Sequence, residues 1–114
     1  MTKKAATQLV NETLNLKLNS KNTIMAKISD EKWLVRFKQI KRNQKLYILL
    51  NNNFSEKMHV FELPANHFVY GFLYNKPFDR NIFSLIFNVE DEVFAEKFTH
   101  FNFTIFHKWT INYD

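Results

Sequence analysis

The chain has no cysteine, a single glycine (Gly71) and two prolines (Pro64 and Pro77) among its 114 residues. Without cysteine there is no disulfide, no thiolate metal site and no cysteine nucleophile. A lone glycine excludes the Gly-rich loops that let a backbone approach a phosphate, and with them the ATP and dinucleotide motifs. None of Ser20, Ser29, Ser55 and Ser84 sits in a Gly-x-Ser-x-Gly elbow. No run of about 18 apolar residues occurs, so no segment reads as a membrane-spanning helix. The first residues, MTKKAATQLVNETLNLKL, carry lysines but no apolar h-region, because Asn11, Glu12 and Lys17 interrupt it. That reads as a cytoplasmic chain without a signal peptide, in which the Asn-x-Ser/Thr matches at Asn11, Asn53 and Asn102 carry no meaning.

What is present is apolar and aromatic. Hydrophobic residues make up 46% and aromatic residues 17%, 13 of them Phe, which is ample for one core and argues against global disorder. The length predicts a single domain over 1–114. The net charge of +5 needs a discount, because Lys, Asn, Phe and Ile are the residues an AT-rich genome over-supplies. Its distribution is more informative. Residues 1–57 hold 12 basic against 4 acidic residues, and residues 58–114 hold 4 against 7. The chain is therefore polar end to end.

Ala6, Val10 and Leu14 stand four apart, with Leu9, Thr13 and Leu16 beside them, which predicts an amphipathic helix over residues 4–18 capped by Thr2. Four strands follow between Thr23 and Pro64: TIMAKIS, KWLVRFKQI, KLYILL and MHVFELP. The second is the clearest, with Trp33, Val35 and Phe37 pointing one way and Lys32, Leu34, Arg36 and Lys38 the other. Turns are expected at Ser29-Asp30-Glu31, at Lys41 to Gln44 and at Asn51-Asn52-Asn53, with asparagine supplying left-handed backbone. Ile82 to Val89 alternates with Phe83, Leu85, Phe87 and Val89 on one side. Residues 65–81 and 93–98 fit either strand or helical turn. The tail alternates from Phe101 to Tyr113, too long for one strand without a bend or bulge, with His107, Trp109 and Ile111 on one face. The fold class is α+β: an N-terminal amphipathic helix packed on a mostly antiparallel sheet of about five to seven strands.

Among candidate sites, His59 and His67, and His100 and His107, lack the spacing of a metal clip, so no metal and no cofactor are expected. His107 reads as a hydrogen-bonded structural histidine. Glu90, Asp91, Glu92 and Glu96 read as solvated charge near a turn. The basic stripe is the remaining constellation. Lys32, Arg36, Lys38, Lys41, Arg42 and Lys45 follow one another with no acid between them, and Lys27 joins them from the preceding strand. Cations at even strand spacing share a face and form a footprint for a phosphate backbone, with Tyr47 and His59 available to stack on bases. The competing reading is a solvated face whose lysines keep a strand from aggregating.

Lys27 on a strand, a short polar turn, the Trp-led Lys32-Trp33-Leu34-Val35, then Lys45 to Leu50 and a strand ending Phe61-Glu62-Leu63-Pro64 together resemble the central sheet of restriction-type nucleases with the PD-(D/E)XK fold. The resemblance covers about 40 residues, and only Lys27 matches its catalytic pattern. Met25 stands where the metal-binding acid belongs. What it implies is a DNA-related domain without metal-dependent cleavage.

Two functions are therefore expected to compete. One is a non-catalytic nucleic-acid-binding domain, an accessory of a restriction or mobile-element system, binding DNA or RNA through Lys27, Lys32, Arg36, Lys38, Lys41, Arg42 and Lys45. The other is a protein-interaction module, a phage- or element-encoded inhibitor or a subunit of a larger assembly or homo-oligomer. Its motive is the aromatic excess, with Phe54, Phe78 and Phe106 at turn or polar-face positions.

Overall fold

A computed structural model of the chain describes residues 1–38, 45–64, 82–90, 93–97 and 100–113; the side chains of Phe37, Lys38, Ile82 and Phe83 lie outside that description. An N-terminal helix packs on a mixed, mostly antiparallel six-stranded sheet. The elements are α1 (Lys3–Leu14), β1 (Thr23–Ser29), β2 (Lys32–Lys38), β3 (Leu46–Asn52), β4 (Lys57–Leu63), β5 (Ile82–Asn88), a 3-10 helix η1 (Phe103–Phe106) and β6 (His107–Asn112). Their order across the sheet is β5-β2-β1-β3-β4-β6, and only β1 and β3 run parallel. No helix among the described residues is long and apolar enough to cross a membrane.

Helix α1 starts where Thr2 caps it, its hydroxyl accepting the Ala5 N–H at 3.1 Å. It ends sooner than its apolar spacing suggests. Asn15 turns left-handed at φ 56°, and the segment beyond Leu14 folds back instead of continuing. The Asn11 amide clamps that return, donating to the Leu18 carbonyl at 2.9 Å and accepting the Leu18 N–H at 2.7 Å. Leu16 and Leu18 thus join Ala6 and Val10 in one apolar cluster without being helical.

The sheet has two unequal faces. On one, α1 covers Tyr47 and Leu49 of β3, Met58 and Val60 of β4 and Ile111 of β6, with Met25 at the margin. On the other lie Ala26, Trp33, Val35, Ile48, Leu50, Phe61, Leu63, Leu85 and Phe87, covered by Phe94, Phe103 and Phe106 from the C-terminal segment. β3 is buried on both faces, which explains its unbroken apolar run. Among the described residues, Trp33, Phe61, Phe87, Phe94, Phe103 and Phe106 are buried on the second face. Phe106, expected at an exposed position, is 8% exposed.

The β1–β2 hairpin turns on Asp30 and Glu31, both left-handed at φ 51° and 61°, with Ser29 opposite Lys32. That is the backbone of a primed two-residue turn built without glycine. The asparagine turn expected at residues 51–53 forms later. Asn51 is buried inside β3, and Glu56 supplies the left-handed residue at φ 54°. Asn52 shapes that loop, its Oδ1 accepting the N–H of Phe54 and of Ser55, both at 3.1 Å.

The tail is interrupted, as its length requires, by a 3-10 turn and a bulge. Instead of one long strand it makes a bridge at Asn102, the turn of η1 and then β6. Phe103 and Phe106 stand three apart, the spacing that puts both on one side of a 3-10 turn. A bulge follows: Val60 pairs with Trp109 and Phe61 with His107, so Lys108 is the extra residue. His107 therefore faces the Phe61 side of the sheet, while Trp109, Ile111 and Tyr113 face α1. Ahead of β6, Glu96 is another departure. It is 1% exposed rather than solvated, and its carboxylate accepts the Ile86 N–H at 2.7 Å while the Lys97 N–H donates to the Ile86 carbonyl at 2.9 Å.

Candidate functional site

The first candidate is the basic face. Ser29 pairs with Lys32, and paired residues point the same way, so Lys27 shares a face with Lys32, Leu34 and Arg36. This is the α1 side of the sheet, beyond the strip that the helix covers. Lys27, Lys32 and Arg36 are all exposed, and none pairs with a carboxylate among the described residues. Leu34, 38% exposed, lies between them. Lys38 belongs to β2 by its backbone, whereas its side chain and the whole of Lys41 and Arg42 fall outside the described residues.

Two expected members are elsewhere. Lys45 is neutralised by Glu62 at 3.3 Å. Tyr47 is buried under α1 and donates its hydroxyl to the same Glu62 at 3.0 Å. Burial first, and then the Glu62 carboxylate, push the Tyr47 phenol up from its ordinary pKa. A ring held this way offers no stacking surface. His59 lies on the opposite face of the sheet, so the two rings do not act together.

The second candidate was not legible as a site in the sequence. His59 on β4 sits directly opposite Thr110 on β6, and the bulge at Lys108 swings His107 onto the same face. Thr110 Oγ1 lies 3.1 Å from His59 Nδ1 and 3.0 Å from His107 Nε2. A hydroxyl has one proton, so it can donate to only one of these nitrogens and accepts from the other. The two rings are 5.3 Å apart. Trp33 meets His59 edge-on at 5.8 Å, and Phe94 packs on both imidazoles at 5.0 and 5.3 Å. Trp33 is fixed in turn by its indole N–H, which donates to the Asn51 carbonyl at 2.9 Å.

Trp33, His59, Phe94 and His107 line a cavity of about 330 Å³ at the end of the sheet where the β3–β4 loop closes, with Asn52, Ser55, Lys57 and Val89 completing the wall. Burial, then the neighbouring His107 and Lys57 charges, lower His59 to a pKa of about 4. Burial also lowers His107, against the pull of a backbone hydrogen bond at Trp109. The His59 imidazole is therefore neutral at pH 7. His67 lies outside the described residues, and His100 does not line this cavity. No group of three His, Cys, Asp or Glu side chains among the described residues is arranged to hold a metal ion. The signal that would have found this site is the pairing register, since His59 and Thr110 are 51 residues apart.

No family model, curated protein or solved structure matches this chain.

Proposed function

We propose that the protein is a small non-catalytic nucleic-acid-binding domain that docks a phosphate backbone on the β1–β2 face. The observation that carries this reading is the side-by-side display of Lys27, Lys32 and Arg36, exposed and without carboxylate partners among the described residues. Free cations on a flat surface attract polyanions through counterion release and position them without reading sequence. Lys38, Lys41 and Arg42 extend the same basic run in sequence, whereas Lys45 is already neutralised by Glu62. A cytoplasmic location, and a role as accessory to a restriction or mobile-element system, go with this reading through the resemblance of residues 23–64 to the restriction-type nuclease sheet.

The test is fluorescence anisotropy with labelled duplex DNA, single-stranded DNA and RNA over a salt series. Binding is expected to weaken steeply with salt, and each of Lys32→Ala and Arg36→Ala to lower the salt slope by about one. An absence of binding at low ionic strength overturns the reading.

A second reading rests on apolar exposure. Phe54 is 81% exposed at the tip of the β3–β4 loop, and Ile105 and Val93 are 65% and 53% exposed on neighbouring segments, where the Thr104 hydroxyl meets the Val93 carbonyl. Such positions suit a protein-interaction module, or self-association between the basic and acidic halves of two copies. Size-exclusion mass at low and high salt separates these: self-association through charge is lost in high salt, and a monomer in both conditions removes it.

A further inference from the structure

The cavity on the other face of the sheet has a chemistry of its own. Its polar wall is rich in hydrogen-bond donors and poor in acceptors. Asn52 spends its Oδ1 on the N–H groups of Phe54 and Ser55, and its Nδ2 has no hydrogen-bond partner among the described residues. Lys57 is exposed and makes no ion pair with a described residue. The Ser55 hydroxyl has no protein partner among the described residues, and His59 is engaged only through Nδ1. No carboxylate is among the described residues that line the cavity. The rest of the wall is Trp33, Phe94 and Val89, an apolar floor.

We propose that this cavity binds a phosphate monoester carried on a small organic group, the phosphate meeting Lys57, Ser55, Asn52 and His59 and the organic group lying against Val89 and Phe94. The donor set favours phosphate over carboxylate, because the donors of Asn52, Ser55, Lys57 and His59 suit an anion with three terminal oxygens. A volume of about 330 Å³ fits one small ligand, at the lower end of the usual range for such sites. The electrostatics agree. Lys57 bears on His59 as an uncompensated positive charge, and an incoming dianion reverses the sign of that field. Binding therefore raises the pKa of His59. A nucleoside monophosphate and the 5′-phosphorylated end of a nucleic-acid strand present the same chemistry. The proposal stands apart from the basic-face reading, because the two surfaces lie on opposite sides of the sheet.

The experiment is NMR of the histidine imidazoles in the full chain, titrated with inorganic phosphate, adenosine 5′-monophosphate, adenosine, and a short oligonucleotide with or without a 5′-phosphate, at ionic strength matched with chloride. Expected are saturable shifts of His59 and His107 with the phosphorylated ligands and none with adenosine. The His59 titration midpoint should rise by about one unit or more when the anion is bound. Lys57→Ala should weaken the mononucleotide by about tenfold or more, Ser55→Ala by less, and Lys32→Ala should have no effect. Competition by the 5′-phosphorylated but not the 5′-hydroxyl oligonucleotide assigns the strand end; binding of the mononucleotide alone assigns a free nucleotide. Shifts no larger than those in chloride, or equal shifts with adenosine, overturn the proposal. A lowered salt slope of DNA binding in Lys32→Ala with the phosphate response intact separates failure of one site from failure of the other.

Discussion

His59 and His107 face each other at 5.3 Å across a single hydroxyl, that of Thr110, which is hydrogen-bonded to both rings. Replacing that hydroxyl by a methyl group of the same size, Thr110→Val, removes a partner from each imidazole at once. The expected cost is about 0.5–1 kcal/mol, near one net hydrogen bond, because Thr110 is exposed and water can take the place of its hydroxyl. Urea denaturation measures it, and imidazole NMR should show both rings changing together. An unchanged midpoint and unchanged ring signals would mean that the hydroxyl holds neither.

The pH dependence follows from the same pair. The titratable and charged neighbours that bear on His59 are His107 from β6 and Lys57 from its own strand, and both disfavour its protonated form. Its folded pKa of about 4 lies below the ordinary value of 6.5, so between those limits the unfolded chain takes up a proton that the folded chain refuses. Stability contributed by the neutral ring is full above pH 6.5, falls as pH drops towards 4, and changes no further below that. Solvent reaches part of the ring, so the loss is set at about 1 kcal/mol. Urea midpoints at pH 7 and pH 5 check this, and His59→Gln should flatten the difference.

The β1–β2 turn offers a gain in stability. Asp30 and Glu31 hold φ of 51° and 61°, backbone that residues with a β-carbon resist. Asp30→Asn with Glu31→Gly gives the turn the residues its geometry favours, and should raise stability by about 1 kcal/mol. The bond from the Val89 N–H, just past β5, to the residue 31 carbonyl is a backbone bond and survives the change. A thermal melt reads the result; a lower midpoint would show that the Glu31 side chain contributes more than its strain costs.

Local patterns were legible wherever one face of an element is dry and the other wet. Trp33 and Val35 against Lys32, Leu34 and Arg36 is such a case, and so is Ala6 with Val10 on α1. Sheet order was not legible, because the parallel β1–β3 pair joins strands separated by a whole hairpin and leaves no local mark. The tail misled for a definite reason. A large apolar or aromatic ring-bearing residue at every second position from Phe101 suits a strand, yet Phe103 and Phe106 are buried through a spacing of three. The bulge at Lys108 then reverses which residues face the helix. Glu96 looked like one more acid near an acidic turn, and nothing nearby in sequence shows that its partner is the Ile86 backbone. The histidine pair was hidden likewise, since its geometry exists only once β4 and β6 are in register.

The contact of Glu96 and Lys97 with Ile86 also bears on how copies of this chain meet. β5 is the outer strand on its side of the sheet, and an outer strand ordinarily offers bare N–H and carbonyl groups to any extended peptide. Here the N–H and the carbonyl of Ile86 are both occupied from within the chain. A strand arriving at that margin finds the middle of the ladder already taken. Intermolecular ladder formation, if the protein assembles that way, is thereby steered to the opposite margin at β6, and Glu96 acts as a built-in guard against open-ended stacking.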